Sequence, residues 1–179
     1  MRDYRSPPDR LSEMKRFIFV GFKKSCYNMA KFDSDPERRM AGILEQDPLV
    51  QLWMKPGPNQ FKIYDEDNAP YQPDFVVETT TEKLIIETKR ASEMTDPLVS
   101  RKADAAALWC HVASRAHGEG SGDKPWSYLL VPETAVLTNA TISGLRAAHT
   151  RSVDADLLGR YSLQDPAVGL GRSAHRFSA

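Results

Sequence analysis

Three side chains near the middle of the chain have the types and spacing for one kind of chemistry. Asp74 follows Pro73 at the start of Asp74-Phe75-Val76-Val77, and Glu87 and Lys89 close Leu84-Ile85-Ile86-Glu87-Thr88-Lys89. If the chain reverses between Thr80 and Thr81, antiparallel partners have residue numbers that sum to 161, as those of Asp74 and Glu87 do. Their Cβ atoms then lie about 5 Å apart across the ladder. Lys89, two residues beyond Glu87, leaves the same face of its strand. Two carboxylates this close repel unless a positive group sits between them. A hard divalent cation suits the place, since magnesium takes oxygen ligands, accepts one or two protein carboxylates and keeps several waters. A lysine beside it can orient a water, lower its pKa or neutralise charge on a phosphorane. Lewis acid, activated water and fixed cation are the parts needed to hydrolyse a phosphodiester.

A plainer account exists for each piece. Proline-aspartate is ordinary turn chemistry at a strand entrance, and glutamate-x-lysine on one strand face is often a solvated charge pair. The neighbours argue against it. Phe75, Val77, Leu84 and Ile86 occupy one face of the expected hairpin, and Val76 and Ile85 share the other with the charges. Strands apolar on both faces are buried on both faces, and a carboxylate buried there needs a partner.

The elements that must position these groups follow from local pattern. Residues 1–14 are polar and contain Pro7-Pro8, which predicts an arm with little structure of its own. Arg16 to Phe22, aromatic and β-branched, reads as a short strand. Ser34-Asp-Pro-Glu37 opens a helix with Ser34 as N-cap, and Met40, Ile43 and Leu44 form its apolar face. Strands are expected at Leu49–Met54, Gln60–Tyr64, Pro73–Glu78 and Lys83–Thr88, with Pro56-Gly57-Pro58, Asp65–Pro70 and Thr79–Thr81 as turns. A long amphipathic helix runs from Pro97 to about His117 on a stripe of Val99, Ala103, Ala106, Trp109, Cys110 and Ala113, and Gly118 stops it. Trp126–Val131 is a further strand, with Trp53 and Trp126 as strand core residues. Thr138 or Asn139 caps a last helix carrying Ile142 and Leu145. From about Thr150 the periodicity is lost, so residues 150–179 are expected to be peripheral or disordered. The order predicts an α/β domain over residues 15–149, a mixed sheet with a central antiparallel hairpin flanked by helices.

Bulk properties narrow the class. A chain of 179 residues suits one domain. It has no apolar run long enough for a bilayer and no signal-like start, which points to a cytoplasmic protein without membrane partners. Cys26 and Cys110 cannot build a disulfide framework. Cys110-His111 with His117 does not supply the four ligands of a zinc site, and Trp109 and Cys110 belong to the apolar stripe. The 24 lysines and arginines balance 24 aspartates and glutamates, so no global positive charge announces nucleic acid. Carboxylates at a metal site would subtract from that total.

The motif Pro73-Asp74…Glu87-Thr88-Lys89 resembles the signature of the PD-(D/E)XK nuclease superfamily. More narrowly, the chain resembles the C-terminal endonuclease domain of the restriction subunit of type III restriction enzymes and related helicase-nucleases. The resemblance runs from Phe19 to about Leu145 through Phe32–Arg38, Val50–Lys55, Tyr71–Phe75, Glu87–Lys89, Lys102 with Ala105-Ala106, Trp109-Cys110 and Trp126–Pro132. It implies a restriction-endonuclease-like fold and a magnesium-dependent endonuclease acting on double-stranded DNA, with manganese able to substitute. It also implies Asp74 and Glu87 as metal carboxylates, the Thr88 carbonyl as a further ligand, and Lys89 as the catalytic lysine. Glu37 becomes an additional acidic catalytic residue, although Ser34-x-x-Glu37 is equally a capping box. Lys102 and Lys55 are assigned to DNA, although a lysine such as Lys102 also serves as a snorkelling surface residue. The type III family couples this domain to an ATP-driven motor. Gly118–Lys124 lacks the ending of a P-loop, so the chain is expected to be a detached module, a fragment, or the partner of a separate helicase or modification subunit. Cutting both strands needs two active sites, which makes a homodimer a further expectation. The competing expectation is a catalytically silent nuclease fold that binds DNA or docks a helicase.

Overall fold

The computed structural model describes residues 1–65, 67–116 and 123–162. At its centre is a four-stranded mixed sheet. The strands β4 (Val50–Met54), β7 (Phe75–Thr79) and β8 (Lys83–Lys89) are antiparallel neighbours, and β9 (Trp126–Pro132) joins β8 in parallel. The parallel pair needs a crossover, which α2 (Pro97–Ala116) supplies. Mixed sheet, central hairpin and flanking helices agree with the α/β architecture expected from the sequence.

Alternation along the central strands divides the interior in two. Phe75, Val77, Leu84, Ile86, Leu129 and Val131 point to one side, where Met40, Ile43 and Leu44 of α1 (Asp35–Gln46) and Ile142 and Leu145 of α3 (Ile142–His149) cover them. Ile85, Tyr128 and Leu130 point to the other, under the alanine-rich stripe of α2. Small side chains at Ala103, Ala106 and Ala107 let this helix approach the sheet closely, and all three are buried. The hairpin is therefore buried on both faces, and Glu87 lies on the α2 side with Ile85.

Ser34 caps α1, its hydroxyl accepting the Glu37 N–H at 3.4 Å. Across the outer edge of β4, Trp53 donates to the Lys24 carbonyl and accepts from the Cys26 N–H. Glu45 fixes that segment, accepting the N–H groups of Lys23 and Lys24 and the indole of Trp53.

Several boundaries differ from expectation. Residues 1–14 are not an arm without structure. Arg2–Asp3 forms β1, parallel to β2 (Phe19–Val20), which pairs in turn with β3 (Met29–Ala30), and a 3-10 helix spans Leu11–Arg16. Two apolar anchors in this polar stretch, Tyr4 and Met14, are buried, Tyr4 stacking on Phe22 at 5.1 Å. The strand expected over Arg16–Phe22 shrinks to β2, because Arg16 completes that helix and Phe17 is its C-cap. The strand expected at Gln60–Tyr64 is only β5 (Ile63–Tyr64), paired with β6 (Pro70–Tyr71). The cap of α3 is Thr141, later than expected, and the buried Asp47 carboxylate also takes the Ile142 N–H at 2.7 Å. Part of the expected tail is ordered: Arg151 bonds Asp104, and α4 (Ala155–Ser162) lies against α2 with Leu157 buried. His117, Gly118 and residues 163–179 lie outside the described residues. No helix among the described residues is long and apolar enough to cross a membrane.

Candidate active site

The site is built on the β7–β8 hairpin, and the turn sets its register. The Thr79 N–H donates to the Glu82 carbonyl at 2.8 Å, and the Thr79 hydroxyl accepts the N–H of Glu82 at 3.0 Å. Phe75, Val76, Val77 and Glu78 then face Ile86, Ile85, Leu84 and Lys83, every pair summing to 161 as the expected reversal at Thr80-Thr81 requires.

At the open end this register would bring Pro73 opposite Thr88. Hydrogen-bonded pairs alternate along an antiparallel ladder, and counting from Thr79–Glu82 makes Pro73–Thr88 one of them. Pro73 has no N–H to give. The ladder stops at Phe75, the chain bends at Asp74, and the Asp74 carboxylate stands in for the Pro73 carbonyl as acceptor of the Thr88 N–H. Its Oδ2 receives the Thr88 N–H at 2.9 Å and the Thr88 hydroxyl at 2.8 Å. Asp74 and Glu87 are therefore neighbours at a frayed end, where the simple expectation had them facing across an intact ladder. The consequence is chemical. The Thr88 carbonyl finds no donor at the proline, and Asp74 Oδ1 takes no hydrogen bond from any described residue.

Glu87 is nearly enclosed, with 7% of its side chain exposed. Its Oε1 meets the Lys89 ammonium at 2.6 Å. Its Oε2 accepts the Tyr71 hydroxyl at 3.1 Å and the Asp74 N–H at 3.2 Å. Burial, then the charge of Asp74, raise its pKa to about 7, against the pull of Lys89 and Tyr71. Burial alone would lower the Lys89 pKa, but Glu87 and Asp74 outweigh it and hold it above the usual lysine value. With 28% of its side chain exposed, Lys89 still reaches solvent from the mouth of the site.

Glu37 occupies a second buried pair. Its Oε1 accepts the Ser34 hydroxyl at 3.0 Å, and its Oε2 accepts the Asp33 N–H at 3.1 Å and the Lys55 ammonium at 2.8 Å. The capping box is thus present, with Glu37 returning to the Ser34 hydroxyl and the Asp33 amide. Lys55, expected at a DNA phosphate, is held at Glu37 with 19% of its side chain exposed, 5.9 Å from the centre of the Phe75 ring. Burial pushes its pKa down, and Glu37 and then Asp74 raise it above the ordinary value. Glu37 is therefore tied to the Asp74 end through a lysine. Lys102 stands half-exposed on α2, with no hydrogen bond or ion pair to another described residue.

Among the described residues, no group of three or more His, Cys, Asp or Glu is placed to hold a metal ion. Glu37 accordingly does not join Asp74 and Glu87 as a third carboxylate. The two carboxylates and the Thr88 carbonyl are oxygen donors only, and the free Asp74 Oδ1 fits a hard cation that keeps most of its waters. Cys110 is buried, and burial pushes its thiol pKa far up, which suits packing.

Tyr71 and Tyr128 are the site residues to which sequence reasoning gave no role. Both fall inside the stretches that resemble the nuclease family. Their signal was a buried polar tip on otherwise apolar positions, legible only once the strands are paired.

Residues 23–111 match a family model described as an endonuclease domain. The matched stretch contains Glu37, Lys55, Asp74, Glu87, Thr88, Lys89 and Lys102. Together with the fold, the match supports a restriction-endonuclease-like nuclease domain. No curated protein matches the chain.

Proposed function

We propose, from the premise that residues 23–111 form an endonuclease domain, that the protein is a magnesium-dependent enzyme hydrolysing phosphodiester bonds in double-stranded DNA. The observation that carries the reading is the convergence of Asp74, Glu87 and Lys89 where the hairpin frays, with an Asp74 oxygen left open and a Glu87 carboxyl that burial and Asp74 make hard to ionise. A cation is what such a pair lacks.

Asp74, Glu87 and the Thr88 carbonyl hold the ion, which when bound supplies a Lewis acid and a water acidified toward neutral pH. Manganese, an ion of similar oxygen preference, substitutes. Lys89 keeps its proton at Nζ and presents it to the charge that develops on the phosphate. Thr88 fixes the Asp74 carboxylate through two donors, so its free oxygen is aimed before substrate arrives. Glu37 acts by holding Lys55 near Asp74, and Lys102 supplies a phosphate contact from α2. The resemblance of its motif stretches to the type III restriction subunit supports a role in a type III restriction-like system, alongside a helicase motor or a modification subunit.

Incubating purified protein with supercoiled plasmid, with magnesium or with chelator, beside Lys89→Ala, tests the reading. Nicking that needs magnesium and disappears in the variant supports it. Nicking that survives both chelator and mutation assigns the cut to another site and refutes it. Absence of nicking leaves manganese titration to decide. An ion bound by the wild type and lost in Asp74→Ala keeps the site and points to a missing motor, whereas no binding leaves a catalytically silent DNA-binding or helicase-docking fold.

A further inference from the structure

Two buried phenols stand behind Glu87, and the reaction just described does not use them. Tyr71 arrives on β6 and Tyr128 on β9, 57 positions apart in the chain, and their hydroxyls lie 3.4 Å apart. Both are buried, with 6% and 1% of their surface exposed. Each hydroxyl has one proton to give. Tyr71 gives its proton to Glu87 Oε2, so Tyr128 gives its own to the Tyr71 oxygen, and each bond polarises the next. Burial and the Glu87 charge hold the Tyr71 pKa well above the usual phenol value, so the donor keeps its proton.

The consequence lies in the lone pairs of Glu87. A carboxylate oxygen offers about two acceptor positions. On Oε2 both are taken, by the Tyr71 hydroxyl at 3.1 Å and the Asp74 N–H at 3.2 Å. Oε1 meets only the Lys89 ammonium, whose side chain reaches solvent. One oxygen is thus closed from the protein side, and one is left to face the site.

We propose that Tyr71, backed by Tyr128, determines metal specificity: by saturating Glu87 Oε2 it leaves Oε1 as the single coordinating oxygen and so selects magnesium over calcium. The inference rests on the reading that Asp74 and Glu87 hold a divalent ion. Calcium takes about six to eight oxygens and readily uses both oxygens of one carboxylate, whereas magnesium takes about six in a tight octahedron and binds carboxylates through one. A glutamate locked to one oxygen costs magnesium nothing and denies calcium a ligand. Tyr71→Phe frees one acceptor position on Oε2 without changing the shape of the ring.

Calorimetric titration of the wild type, Tyr71→Phe and Tyr128→Phe with magnesium, manganese and calcium, each at one pH near 8, reads this directly. Outer partners of metal ligands change affinity by roughly 10- to 100-fold. The magnesium-to-calcium affinity ratio is expected to fall about 10-fold in Tyr71→Phe, and by less in Tyr128→Phe, which removes only the outer donor. An equal loss for all three ions, or an unchanged ratio, overturns the proposal and leaves the tyrosines as packing. Should circular dichroism show Tyr71→Phe unfolded, Tyr128→Phe decides alone, because its hydroxyl touches no carboxylate: a lowered ratio supports the clamp and an unchanged one refutes it. A wild type that binds none of the ions removes the metal reading itself, a failure distinct from an unchanged ratio.

Discussion

Two buried glutamate–lysine pairs flank Asp74, and they are built from similar parts to different ends. Glu37 and Glu87 are each enclosed, each accepts three donors, and each has an ammonium within 2.8 Å or less. Glu37 sits in the first turn of α1, where the exposed N–H groups and the helix dipole favour an anion. Its local donors come from Asp33 and Ser34, so the helix start largely satisfies it. Glu87 sits in a strand covered on both faces, away from any helix end, with the Asp74 carboxylate as its neighbour. Three hydrogen bonds do not offset burial and a second negative charge, and its pKa stays near 7. Counting donors therefore does not separate a structural carboxylate from one awaiting a ligand. The sign of the nearest uncompensated charge does.

The largest effect expected is on catalysis, and it separates the pairs. Lys89→Ala and Asp74→Asn each remove an interaction aimed at developing charge or at the ion, and such losses cost about 10²- to 10³-fold in rate. Lys55→Ala, in the other pair, is expected to cost less than about 10-fold, because its ammonium is spent on Glu37. Initial nicking rates of plasmid in magnesium, compared at equal folded protein, check this. Equal losses at Lys55 and Lys89 would erase the distinction.

Stability comes next. Glu37→Ala leaves the Lys55 ammonium buried without its partner and removes the reciprocal bonds at the α1 cap. Breaking a buried pair costs roughly 3–5 kcal/mol, and the partial exposure of Lys55 reduces this to about 2–3 kcal/mol. Urea unfolding in chelator should show that loss as a lower midpoint with an unchanged slope. A loss below about 0.5 kcal/mol, ordinary for a surface site, would mean that α1 does not depend on the pair.

Much of this contrast is legible in the sequence, and the remainder fails for physical reasons. The hairpin register follows from the length of chain between two apolar runs, because period two admits one face assignment per register. The start of α1 and the length of α2 follow from cap and stripe. What the pattern does not carry is the end of the ladder. Pro73 reads as a turn residue, yet its missing N–H leaves the Thr88 carbonyl without a donor where the ladder ends, and Asp74 takes the Thr88 N–H there. Contacts distant in sequence are equally silent: Lys55 reads as a basic residue after a strand, and its partner Glu37 lies on another element. Tyr71 reaches Glu87, and Tyr128 reaches Tyr71, only after β6, β8 and β9 have assembled. Residues 1–14 look polar because two anchors, Tyr4 and Met14, are too few to make a period.

Titration of Glu87 gives a third test, of similar or smaller size and opposite sign. Its folded pKa, about 7, lies above the ordinary carboxylate value of 4.5. Between those values the native protein binds more protons than the unfolded chain, so stability falls as pH rises. The favourable term is complete below pH 4.5 and is lost as pH passes 7. The rise from 4.5 to about 7 sets an upper limit of about 3 kcal/mol. Glu87→Gln cannot ionise, so in chelator it should be more stable than the wild type near pH 8, by up to that amount, with the difference vanishing below pH 4.5. A Glu87→Gln protein less stable than the wild type at pH 8 would mean that Lys89 fully compensates the charge.

Lys102 supplies the smallest expected effect and the control for both pairs. It is half-exposed on α2, outside the buried network, so its removal subtracts a charge without disturbing either carboxylate. If it meets a DNA phosphate, Lys102→Ala should weaken DNA binding about equally across sequences and lower the dependence of log affinity on log salt by roughly one. Metal affinity and stability should be unchanged. Fluorescence anisotropy with a labelled duplex at several salt concentrations, in chelator so that nothing is cut, measures the slope. An unaltered slope makes Lys102 a solvated surface lysine and moves the search for backbone contacts to other elements. In Lys89→Ala the cleavage rate should fall while the salt slope stays unchanged, because that ammonium faces a phosphate only at the point of reaction.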